Sequence, residues 1–194
     1  MRTNGLFPNR PLILVSKSPR RRQLLQEAGF TFSVQGLDVD ESFPDNMPVE
    51  EVAEHLARRK AHAGRHLITG EEILISADSV VIREGCIYNK PEDYEEAAHM
   101  LRQLSGAQHT VITGVCLLSA ERERSFSDRS EVFFEPLTEE EIDFYIRNYR
   151  PFDKAGAYGV QEWVGLCKIR RIEGSYANVM GLPVHRVYAE LKFF

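Results

Sequence analysis

With 194 residues, 43% of them hydrophobic, the chain is long enough to bury one substantial core or two lobes that share a sheet. A formal net charge of −5 argues against non-specific nucleic-acid binding, so a basic cluster here is a local site in an acidic protein. The three cysteines, Cys86, Cys116 and Cys167, stand in no CxxC spacing, which suits a reducing cytosol and packing as small hydrophobes. No apolar run approaches the roughly 18 residues of a membrane span, and residues 1–10 lack the apolar core of a signal peptide. A soluble cytosolic protein with neither a membrane nor a nucleic acid as partner is expected.

Residues 12–15 are all apolar and read as a short buried strand. Ser16, Lys17 and Ser18 break the pattern, and Ser18-Pro19 opens a helix as N-cap and first helical residue. Leu24, Leu25 and Ala28 supply its apolar face, and Gly29 suits a left-handed C′ position. Arg20, Arg21 and Arg22 crowd the first turn, where free N–H groups and the macrodipole are already positive, at roughly 0.3–1 kcal/mol each. Serine hydroxyls, free N–H groups and arginine forks together describe a phosphate site; the alternative is a solvated basic turn.

A strand is expected at 31–34, followed by the acidic loop Asp38, Asp40 and Glu41, which is either a hydrated loop or a hard-cation site. A second helix is read from about 48 to 64, opened by Pro48. Val49, Val52, Ala53, Leu56, Ala57 and Ala63 line one side of it. Lys60 projects from that stripe, either snorkelling along the core edge or facing an anion. His62 and His66 have the i, i+4 spacing of a metal pair but sit on the polar side.

Residues 73–82 are apolar on both alternating faces and read as a central strand, interrupted by Asp78. A carboxylate there costs several kcal/mol unless it is paired, bound to a metal or opened to a cleft. Asp78 is therefore the foremost candidate for a functional acid or base; the structural alternative is a carboxylate satisfied by backbone N–H groups. Glu84-Gly85 turns the chain into 86–88, and Asn89-Lys90-Pro91 starts a third helix with Ala97, Met100, Leu101 and Leu104 inside. Residues 111–118 and 130–134 read as strands of a hairpin around 121–124. Thr138 and Glu141 form a capping box for a helix over 139–148.

Residues 152–161 form a loop whose glycines permit close backbone approach to a ligand. Its spacing fits neither GxGxxG nor a P-loop. A strand over 166–172 and a last helix over 184–191 complete the chain, and Trp163 falls in a loop. Strands interleaved with helices, plus a hairpin, give an α/β protein with a mixed sheet.

In order along the chain, SKSPRR, DVDE, ARRKA, ADSVV, NKP, FDKAGAYGVQ and GSYANVMGLP resemble the Maf family of nucleoside triphosphate pyrophosphatases. The resemblance runs from Leu12 nearly to the C-terminus. It implies a single domain over 1–194, with 1–10 as an N-terminal extension. The implied fold is a strongly twisted mixed sheet flanked by helices, with two lobes around a deep cleft, as in the related inosine triphosphatases. It also implies cleavage between the α- and β-phosphates of a nucleoside triphosphate with a divalent metal, magnesium or manganese.

Carried over by motif, Ser16, Arg20, Arg21, Lys60 and Lys90 would bind substrate phosphates. Glu41 would bind the metal, and Asp78 would accept the proton of the attacking water. Lys154 through Gln161 resembles the subgroup that cleaves dTTP and UTP, with Arg20, Ser79, Lys154 and Gln161 bearing on specificity. Gln161 carries both a carbonyl and an amide for the pairing edge of thymine or uracil. Two positions depart from the family pattern: Ser79 replaces a threonine after the aspartate, and Glu162 replaces a glycine after the glutamine. Homodimers are common in the family. The alternatives are a nucleotide-binding regulator of cell division or septum formation, and a pyrophosphatase for a purine or modified nucleotide.

Overall fold

The computed structural model describes residues 9–194. The readings made for residues 1–8, as part of an N-terminal extension without a signal core, lie outside the described residues. Seven strands form a mixed sheet: β1 (Leu12–Val15), β2 (Ser33–Gln35), β3 (Ile73–Arg83), β4 (Cys86–Tyr88), β5 (Gln108–Leu118), β6 (Glu123–Phe134) and β7 (Ile169–Glu173). Their order is β2-β1-β3-β5-β6-β7, with β4 on β3. β1 runs parallel to both β2 and β3, while β3–β4 and β6–β7 are antiparallel. The described chain divides into two compact units.

The first unit runs to Asp78 and adds Thr113–Asp128 and Gly181–Phe194. Helix α1 (Pro19–Glu27) begins as its sequence requires, with the Ser18 hydroxyl accepting from Arg21 N–H. Leu24 and Leu25 are buried, but Ala28 is exposed: it is the C-cap, already turned off the apolar face. Helix α2 (Val52–Ala63) starts later than Pro48, because residues 47–51 are spent on separate turns, with Glu51 N–H donating to Pro48 O. Its buried face is Val52, Ala53, Leu56, Ala57 and Ala61; Ala63 is exposed on the last turn.

Two contacts lock α2 in place. Ser76 Oγ donates to Ala57 O at 2.7 Å. Gly114 on β5 lets the helix backbone come down on the sheet, since a Cβ there would lie 2.3 Å from Ala53 C and Glu54 N. Val15, Ala57, Ala61, Leu74, Cys116 and Leu118 form the core beneath. Burial, aided by Glu123, pushes the Cys116 thiol up to about 12, so it packs as a small hydrophobe. Cys86 and Cys167 are exposed, contrary to the packing expected of all three. The turn between β5 and β6 closes at Ser119–Arg122, tighter than expected, with Ser119 N–H donating to Arg122 O at 2.8 Å.

The second unit comprises Ser79–Ile112 and Arg129–Met180. Helix α3 (Tyr94–Leu104) starts after Pro91 rather than at it, because Asp93 caps it by accepting from Glu96 N–H at 2.9 Å. Helix α4 (Glu139–Tyr149) carries the expected capping box. The expected strand over 166–172 is half helix: α5 (Trp163–Lys168) takes its first part and β7 the rest. A short apolar run does not by itself separate strand from helix, and Leu166, 79% exposed, was never core. Trp163 is helical, its ring edge-on to Phe144. A short α6 (Tyr176–Met180) precedes the last helix, α7 (Val184–Leu191), in the first unit. No helix among the described residues is long and apolar enough to cross a membrane.

Candidate functional site

In the first unit, β1 delivers Ser16 to the N-terminus of α1. Ser16 is buried, and its Oγ accepts from Ser18 N–H at 3.1 Å, closing the turn that places Ser18 as the cap. Arg20 and Arg21 follow on the first helical turn, both half-buried. Arg21 Nε donates to Gly181 O at 2.8 Å, tying α1 to the segment that enters α7. Burial draws the Arg21 guanidinium below its ordinary pKa; Asp78 opposes this, Arg20 adds to it, and Glu41 opposes it. Arg20, Arg21, Glu41 and Asp78 therefore share one electrostatic neighbourhood.

Lys60 is the hinge of that neighbourhood. From the middle of α2 its Nζ donates to Glu41 Oε1 at 2.7 Å and to Asp78 Oδ1. The Lys60 and Asp78 side chains are 15% and 13% exposed, while Glu41 is 47% exposed on its loop. Lys60 does face an anion, but within the chain the anions are two carboxylates of the protein itself.

The acidic loop does not gather its carboxylates on one centre. Asp38 pairs with Lys17, Asp40 with Arg59 at 2.9 Å, and Glu41 with Lys60. Asp40 also accepts from the Ser42 hydroxyl and N–H, and these bonds with Arg59 lower its pKa to about 2. Arg59 further donates to Ser42 O, so the loop carrying Glu41 is pinned to α2 on either side of that residue. Among the described residues no cluster of three or more His, Cys, Asp or Glu side chains is placed to hold a metal ion. His62 bonds Glu123 and His66 bonds Ala63 O, which accounts for both without a metal.

In the second unit, Ser79 follows Asp78 on β3, and Lys90 is exposed ahead of α3. Asn89 O accepts from Gly156 N–H at 3.1 Å, joining the NKP and KAGAYG segments. Lys154 is buried, with Nζ donating to Asp153 Oδ1 at 2.7 Å and paired with Glu162 Oε1 at 3.1 Å. Gln161 Oε1 is buried and has no hydrogen-bond partner among the described residues.

Two of the loop glycines stand against side chains of the protein itself. A Cβ on Gly156 would meet the Val81 side chain, and one on Gly159 would meet Glu162 and Lys154, so they make room for the protein's own side chains. Tyr145 donates its hydroxyl to Glu162 Oε2 and accepts from Gly159 N–H at 2.9 Å, contacts that the sequence reading does not reach. Its one sequence signal was weak: a buried tyrosine on the apolar side of α4 needs a partner for its hydroxyl.

Residues 11–194 match the Maf-like protein family. The dTTP/UTP pyrophosphatase of Phocaeicola vulgatus is 48% identical over 182 residues, covering 93% of this chain and 94% of that protein. The dTTP/UTP pyrophosphatase of Porphyromonas gingivalis is 50% identical over 186 residues, covering 94% of each. Among solved structures, the Staphylococcus aureus Ham1 protein is 14% identical with a TM-score of 0.47, over 64% of this chain and 71% of that one. The family match runs from residue 11 to the last residue and takes in every motif described above, so the chain belongs to the Maf-like protein family.

Proposed function

We propose that the protein hydrolyses nucleoside triphosphates, dTTP and UTP foremost, to the monophosphate and pyrophosphate. The observation that carries this reading is the Lys60 ammonium between Glu41 and Asp78, beside Arg20 and Arg21. The names of the two relatives agree with it. Ser16, Arg20, Arg21, Lys60 and Lys90 bind the phosphates, whose negative charge gives the crowded cations at the start of α1 their counterpart. Asp78 takes the proton of the attacking water as the water oxygen bonds to the α-phosphorus, and pyrophosphate leaves with the bridging oxygen and the electron pair of the broken P–O bond. In such transfers the protein contributes mainly positioning and charge stabilisation.

The residues present fit a hard divalent cation. Glu41 offers carboxylate oxygen on a pinned, half-exposed loop, and it already stands beside a positive charge. Magnesium is commonly held by one or two carboxylates and completed by substrate phosphates and water, so no larger protein cluster is needed. Glu41 would hold magnesium or manganese, which would supply neutralisation of the phosphate oxygens.

Base selection falls to Arg20, Ser79, Lys154 and Gln161. A buried carbonyl oxygen without a donor suits the N3–H of thymine or uracil, whereas cytosine presents an acceptor at that position. We assign the activity to residues 1–194 as one domain, with 1–10 as an extension. The three free cysteines favour the cytoplasm as its compartment.

The test is kcat/KM for dTTP, UTP, CTP, GTP, ATP and 7-methyl-GTP with magnesium or manganese, repeated with chelator. dTTP and UTP lead, and turnover ceases in chelator. A purine preference overturns the base assignment, and full activity in chelator overturns the metal.

A further inference from the structure

Glu162 stands where the family pattern has glycine, and its surroundings give it a task. It is the N-cap of α5, yet its carboxylate makes no capping bond to that helix. Oε1 instead pairs with Lys154 Nζ at 3.1 Å, and Oε2 accepts from the Tyr145 hydroxyl. That hydroxyl accepts in turn from Gly159 N–H at 2.9 Å. The Glu162 N–H donates to Gly159 O at 3.0 Å, so the turn from 159 to 162 is closed by its backbone and again by the side chains.

Lys154 and Tyr145 are buried, and burial first, then Glu162, raises the tyrosine pKa, keeping the phenol protonated as a donor. The fit is close: a Cβ on Gly159 would lie 2.8 Å from Glu162 Cδ. One carboxylate thus gathers α4, the Lys154 loop and the start of α5, and the residues enclosed by the turn are Val160 and Gln161.

We infer that Glu162 is a positioning residue for base selection, holding Lys154 and Tyr145 so that the 159–162 turn presents Gln161 in one orientation. This rests on the reading of Gln161 as the residue that meets the base. A hydrogen-bonding site discriminates only as well as its donors and acceptors are fixed, and a misplacement of about 1 Å costs up to 100-fold. The loss should fall on KM and on selectivity, because Glu162, Lys154 and Tyr145 brace the turn that carries Gln161, whereas Lys60 and Asp78 are bonded to each other.

The experiment measures kcat, KM and melting temperature for E162G, E162Q, Y145F and Q161A with dTTP and with CTP. E162G narrows the dTTP-to-CTP ratio of kcat/KM by about tenfold, through KM, with kcat for dTTP within a small factor of the parent. E162Q keeps one acceptor oxygen and recovers part of the ratio; Y145F, retaining the Lys154 pair, also loses only part. Should E162G fail to fold, E162Q and Y145F decide. Unchanged ratios in folded Glu162 variants overturn the inference, as does a fall in kcat with KM unmoved. If Q161A narrows the ratio while the Glu162 variants do not, the inference alone fails. If Q161A leaves the ratio intact, the reading of Gln161 fails and takes the inference with it.

Discussion

Each unit contains a lysine set between two carboxylates, and the two arrangements differ in how tightly they are closed. Lys60 links Asp78 on β3 to Glu41 on a half-exposed loop. Lys154 links Asp153 to Glu162, whose second oxygen is already committed to a buried tyrosine. In the first, Glu41 is 47% exposed, so water can take the place of Lys60 as the partner of that carboxylate. The second has no such freedom, because moving Glu162 leaves a buried phenol O–H without that acceptor and takes one of two carboxylates from a buried ammonium. The same ion triplet is thus an exchangeable contact in one unit and a fixed brace in the other.

The largest break in that comparison comes from Asp78. Asp78→Asn should lower turnover by about 100-fold or more, as expected for loss of a general base, while melting temperature stays close to the parent because the amide still accepts from Lys60. Retention of most activity would remove Asp78 from the chemistry.

Replacing each lysine by methionine sharpens the contrast. Removing one partner of a buried pair costs about 3–5 kcal/mol, and Lys154, 9% exposed, is the more enclosed. Lys154→Met should therefore lower the melting temperature by about 5 °C or more. Lys60→Met should lower it less, since Glu41 can hydrate, but should raise KM for the triphosphate. Equal thermal losses would show the two triplets to be equally structural.

The smallest effect is a pH dependence in the second unit. His109 on β5 is buried, with Nε2 bonded to the Tyr158 hydroxyl at 2.7 Å and the ring edge-on to Phe134 and Tyr158. Burial pushes its pKa down to about 3 from 6.5, against the pull of Glu131 and with the help of Arg83. Between those values the unfolded chain binds the extra proton. Stability therefore falls as pH falls below 6.5, by up to about 1.4 kcal/mol per unit. From pH 6 to 5 this ring contributes to the slope of melting temperature with pH. His109→Phe should flatten it; an unchanged slope would assign it elsewhere.

What was legible in the sequence follows from the range of the interactions involved. β1, the Ser18-Pro19 start of α1, the capping box of α4 and the outline of α7 are set by local periodicity and local hydrogen bonds. The starts of α2 and α3 were missed because a proline opened a turn there, and the real caps lay a few residues on. The first half of the 166–172 segment was misread because six residues carry too little periodicity to choose between helix and strand. Asp78 and Lys60 could be singled out as charges in apolar patterns. That they meet each other depends on two elements brought together by packing, and no spacing encodes it. Glu162 stood out only as a departure from a motif, and its partner Tyr145, seventeen residues earlier, only through the fold.

Gly114 carries a consequence for how this protein tolerates change. It has no functional group, yet the backbone of α2 rests on it, and Lys60 lies two helical turns, about 10 Å, further along the same rod. A side chain at 114 would lift that rod at Ala53 and carry the ammonium away from Asp78. The glycine therefore acts as a gauge for a charge separation it never touches. Drift at this silent position would part Lys60 from Asp78 while both remained in the sequence.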